Sequence, residues 1–96
     1  MSLPQDVVEF VKECERRGMP PKAVALMKGG FPRERYDVLV RDGEGWRYVG
    51  EVDAEEAFKE PFEVVCGKLT CALFWRDSIV LVYDRVERRV YEPEEV

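Results

Sequence analysis

Histidine and asparagine are absent from these 96 residues, and Gln5 is the lone glutamine. Without histidine, the commonest general base and the commonest metal ligand are both missing. Ser-His-Asp and Cys-His nucleophile pairs are thereby excluded. The three cysteines, Cys14, Cys66 and Cys71, form no C-x-x-C pair, which speaks against a zinc or redox motif. Buried thiols behaving as small apolar groups are the plain expectation, with a Cys66–Cys71 bridge as the alternative. No apolar run approaches the roughly 20 residues of a membrane helix. Met1-Ser2-Leu3-Pro4 has neither the basic nor the apolar region of a signal peptide, so a cytoplasmic location without membrane contact is expected. Gly67-Lys68 lacks the upstream glycine of a phosphate loop, and no dinucleotide fingerprint occurs. No cofactor, no metal site and no catalytic set are expected. The chain reads as a binding module.

What is present is a single domain's worth of chain, rich in valine, arginine and glutamate. Scarce amides with abundant charge point to a hyperthermophilic source. The net charge of −5 argues against nucleic acid as a partner, but its distribution is uneven. Between Arg16 and Arg47 stand eight basic residues and four acidic ones, while the excess acid gathers at 53–63 and in the tail.

Val7, Phe10, Val11 and Cys14 fall on one face of a helix that Ser2 and Gln5 would cap and Gly18 would end. Pro20-Pro21 suggests a second short helix with Ala23, Val24 and Met27 inward, closed by Gly29-Gly30. Tyr36–Arg41 and Trp46–Val52 read as a hairpin around Asp42-Gly43-Glu44-Gly45. Asp53 and Glu56 would cap another helix running towards Pro61. The stretch from Phe62 to Leu69 suits helix or strand. Leu69–Arg76 and Ile79–Arg85 are strands joined at Asp77-Ser78, and Arg88–Glu92 is a third. The fold class is α+β: an antiparallel sheet of four to five strands with short helices mainly on one face.

Two hairpin faces attract attention. Pairing Arg41 with Trp46 puts Leu39, Arg41, Trp46 and Tyr48 together, opposite a core face of Val38, Val40 and Val49. Pairing Arg76 with Ile79 would gather Ala72, Phe74, Arg76, Leu81, Tyr83 and Arg85 on one face. Cys71, Leu73, Trp75, Val80 and Val82 would take the other. Rings interleaved with arginines suit single-stranded nucleic acid, since bases stack on rings and guanidinium groups meet phosphate. The nucleic-acid-binding candidates are therefore Lys28, Arg33, Arg35, Arg41, Trp46, Tyr48, Phe74, Trp75, Arg76, Tyr83, Arg85 and Arg88. The cations among them are expected to line one groove.

The segment Lys28-Gly29-Gly30-Phe31-Pro32-Arg33, the strand Tyr36–Arg41, Trp46-Arg47-Tyr48-Val49-Gly50 and Leu73-Phe74-Trp75-Arg76 together resemble the ThermoDBP family, single-stranded-DNA-binding proteins of hyperthermophilic archaea. The resemblance implies a small α/β domain with a cleft of apolar floor and basic side. It also implies single-stranded DNA, or RNA, as the partner, and brings in a homodimer. No zipper heptads precede Glu94-Glu95-Val96, so the helical-zipper route to that dimer is not expected.

A rival pattern is Asp37 with Glu51 and Asp53, which resembles the metal-binding acids of PD-(D/E)xK nucleases, where carboxylates on adjacent strands hold a cation that activates water. Asp53 stands where that family has lysine, so a degenerate relative is implied. A three-residue loop at the hairpin would put Asp37, Arg41, Arg47 and Glu51 on one face and favour this reading. A protein-interaction or structural subunit is the remaining alternative.

Overall fold

The computed structural model describes residues 1–57 and 60–95. One helix, α1 (Gln5–Arg16), precedes seven strands: β1 (Ala23–Met27), β2 (Arg35–Asp42), β3 (Gly45–Asp53), β4 (Phe62–Cys66), β5 (Thr70–Trp75), β6 (Ser78–Asp84) and β7 (Arg89–Tyr91). They form one sheet in the order β3-β2-β1-β4-β5-β6-β7. The α+β class is as expected, with a larger sheet and fewer helices. The sheet is antiparallel except at its centre, where β1 runs parallel to β4 with Val24 beside Val64.

Helix α1 forms where its periodicity requires. Val7, Phe10, Val11 and Cys14 are all buried, and Gly18 follows at a φ of +78°, a conformation that favours glycine. The cap is not the expected one: Pro4 occupies the N-cap position and no side chain caps the helix. Burial pushes the Cys14 thiol up to about 12, so it stays a neutral, apolar filler at neutral pH.

The second helix is instead the central strand β1. Ala23, Val24 and Ala25 are buried on both faces, and a short apolar run between prolines and glycines satisfies a doubly covered strand as well as a helix. Phe62–Cys66 likewise resolves as strand, with the β-branched pair Val64-Val65 at its middle. The helix expected after Asp53 reduces to one 3-10 turn, Ala54–Glu56, without a side-chain cap, and its continuation at 58–59 lies outside the described residues.

Two cores result. The helix-side core joins the α1 residues to Val24, Val64, Cys66, Cys71, Leu73, Leu81 and Tyr83. On the opposite face Ala25, Tyr36 and Val38 pack with Ala57, which the connection from β3 to β4 carries there. Cys66 and Cys71, partners across β4 and β5, are joined by a disulfide.

The β5–β6 register corrects the sequence reading. Trp75 pairs with Ser78 and Leu73 with Leu81, while Val80 is extra. The turn is Arg76-Asp77, with Arg76 at a φ of +57°. Leu81 and Tyr83 therefore join Cys71 and Leu73 on the helix side, and Phe74 faces the other way.

Candidate nucleic-acid interface

The buried partners of α1 lie on β1, β4, β5 and β6. Towards β3 the helix-side face opens, and there Tyr48 is 40% exposed. The β2–β3 hairpin keeps the expected register at its turn, with Arg41 opposite Trp46 and Leu39 opposite Tyr48. Farther up, Val38 pairs with Gly50, so Val49 is an extra residue, 46% exposed and outside the core expected for it. Gly50 takes a φ of +135°, open to glycine and strained for other residues. Beyond the bulge Asp37 stands opposite Glu51.

That bulge decides which side chains meet. In a regular strand Tyr48 and Glu51 would point to opposite faces. The extra residue restores both to the helix side. Trp46, Tyr48, Asp37 and Glu51 then share one surface, although the two loop lengths weighed from sequence made aromatic and acidic faces alternatives.

The surface is tightly wired. The Tyr48 hydroxyl donates to Asp37 Oδ1 at 3.0 Å, and this bond raises the Tyr48 pKa above its usual value. Asp37 itself is buried. Glu51 accepts Lys28 Nζ at 2.9 Å and Arg35 Nη1 at 2.7 Å. The Lys28 contact leads in holding the Glu51 carboxyl below its ordinary range, and Glu51 raises the Lys28 pKa in return. Lower on the hairpin, the Arg41 guanidinium lies 5.1 Å from the Trp46 ring and bonds Glu15 of α1 at 3.1 Å. Trp46 is half-buried against the helix-side core.

Of the residues singled out from sequence, Lys28, Arg35, Arg41, Trp46 and Tyr48 are brought together on this part of the sheet. Arg33 is exposed in the neighbouring loop and makes no ion pair among the described residues. The others go elsewhere. Tyr83 is a core residue, 5% exposed, its ring stacked 5.3 Å from that of Phe10. Arg85 bonds Asp6 at 2.8 Å and the Gly67 carbonyl at 2.7 Å, tying the start of α1 to the β4–β5 turn, and it lowers the Asp6 pKa. Phe74 lies on the opposite face. Trp75 is 44% exposed at the β5–β6 turn, where Arg76 covers its ring at 4.9 Å. Arg88 occupies the β6–β7 turn. A single basic groove is thus absent among the described residues: the cations are spread over the domain, and four of them, Lys28, Arg35, Arg41 and Arg85, bond carboxylates. Pairs remote in sequence, such as Arg41–Glu15, carry no local sequence signal.

Both acids of the rival pattern that share this face already have partners. No group of three or more His, Cys, Asp or Glu side chains among the described residues is placed to hold a metal ion. Asp37 is engaged by a hydroxyl and Glu51 by two cations. No helix among the described residues is long and apolar enough to cross a membrane. No family model, curated protein or solved structure matches the chain.

Proposed function

We propose that this chain is a single-strand nucleic-acid-binding module whose contact surface is the open, helix-side face of the β2–β3 hairpin. The observation that carries this is Tyr48: an exposed ring pinned by its hydroxyl to buried Asp37, with Trp46 on the same face and Lys28 and Arg35 beside it. A base stacks on the Tyr48 ring, and a second reaches the exposed part of Trp46. Lys28 and Arg35 each keep donors that Glu51 does not use, and these meet phosphate. No contact of this kind reads base identity, so binding is independent of sequence.

The charge pattern sets a quantitative expectation. With two phosphates neutralised, the slope of log affinity against log salt for a single strand is about −1.4, at about 0.7 per phosphate. Fluorescence anisotropy of a labelled, unstructured oligonucleotide across a salt series measures it. Affinity indifferent to salt, or no binding at low salt, would refute the reading.

The Asp37–Glu51 register favours one second reading, a relic of a metal-dependent nuclease core. Carboxylates on adjacent strands are what that chemistry needs. The residues present do not fit the cation, because Lys28 and Arg35 already neutralise Glu51. We derive no hydrolytic step from them.

A further inference from the structure

We propose that Phe31 is a wedge that caps the last base pair of a duplex where a single strand leaves it, so that the preferred ligand is a junction of double- and single-stranded nucleic acid. This rests on the reading of the β2–β3 face as a single-strand site and names the substrate that face is placed to meet.

Phe31 is 93% exposed, more than any other large apolar side chain described. It stands in the loop between β1 and β2, and that loop is rooted in the site. Lys28 N–H donates to the Arg35 carbonyl at 2.8 Å, closing the loop at its base, and both side chains bond Glu51. The chain doubles back so closely that a Cβ on Gly29 would lie 2.8 Å from the Arg33 carbonyl oxygen, so glycine is required there. The loop is therefore a built projection, anchored beside Tyr48, with a bare ring on it.

The Tyr48 ring lies along the sheet, whereas the Phe31 ring stands almost wholly in water and can enter a stack of bases from its end. Minor-groove proteins unstack duplexes with apolar wedges inserted at a base step, and the same ring-on-base contact made at a duplex end caps its last pair. Lys28, Arg33 and Arg35 supply cations for the phosphates. Beside the ring, a recess of about 760 Å³ carries both signs of charge, with Arg33 and Arg35 set against Glu34, Asp53 and Glu55. Phosphate beside the ring is held by Arg33 and Arg35 there, and Arg35, bonded to Glu51, leads the departing strand onto the Tyr48 face.

Anisotropy titrations with a single strand, a blunt duplex and the same duplex bearing that strand as a tail test this. The tailed duplex should bind about tenfold more tightly than the strand alone, the size of one stacking contact. Phe31→Ala should erase that ratio and leave single-strand affinity unchanged. Phe31→Trp should preserve it, with its emission quenched by tailed DNA. Equal affinity for strand and tailed duplex, a preference that survives Phe31→Ala, or equal weakening of both ligands by Phe31→Ala would each overturn the wedge while leaving the single-strand site standing. Failure of the parent protein to bind the single strand would instead refute the site, and with it the wedge that rests on it. Binding of neither ligand refutes both.

Discussion

Phe10→Ala should destabilise the protein by about 3–5 kcal/mol, the range for deleting a fully buried phenylalanine. Phe10 is 1% exposed and lies at the middle of the inner stripe of α1. Its ring stacks on Tyr83 with an interplanar angle of 15°. No second α-helix among the described residues backs it up, so the space left cannot be refilled from a neighbouring helix. The stack adds about 0.5–1.5 kcal/mol beyond area burial. Chemical denaturation should show a lower midpoint with an unchanged slope. A cost below about 1 kcal/mol, well under the large-to-small core range, would mean that Phe10 and Tyr83 are not core, and would return Tyr83 to the binding surface.

Tyr48→Ala should behave in the opposite way, weakening single-strand binding by about 1–3 kcal/mol, one stacked base. The ring is half in water, so little apolar burial is lost on truncation. The cost to stability comes from Asp37, a buried acid deprived of its donor, and should be about 1–3 kcal/mol. Tyr48→Phe separates the two roles: it keeps the ring and removes the hydroxyl, so affinity should hold while stability falls by the same amount. Paired binding and melting measurements on both variants decide the matter. Binding lost equally in both would show that the hydroxyl network, not the stacking face, makes the contact.

The legible and illegible parts of this molecule divide by the range of the information. The inner face of α1 was readable because Val7, Phe10, Val11 and Cys14 carry a helical period, and the Arg41–Trp46 register because Asp42–Gly45 is a strong turn. Ala23–Met27 was not, since a short apolar run has no period to distinguish a central strand from a buried helix. The β5–β6 faces were misread by one step. The turn places an arginine, Arg76, in a left-handed conformation, for which no residue preference gave warning, and the extra Val80 then resets the parity. The candidate site was half visible: its rings and cations were singled out, but Gly50 as a bulge that unites them with Asp37 and Glu51 was not. The pairing of cations with carboxylates depends on the folded sheet and could not be read locally.

Glu51 separates the two readings, because it must be a ligand in a metal site but a competitor in a binding site. Removing its charge in Glu51→Gln takes away the carboxylate that competes with phosphate for Lys28 and Arg35. Affinity for an unstructured single strand at 0.1 M salt should rise about fivefold, the effect of one added net positive charge at about 0.7 per decade of salt. A titration of the parent and this variant, side by side, is the most direct measurement. Tighter binding by Glu51→Gln is the predicted result; weaker or unchanged binding would contradict the claim that this face holds a nucleic-acid strand.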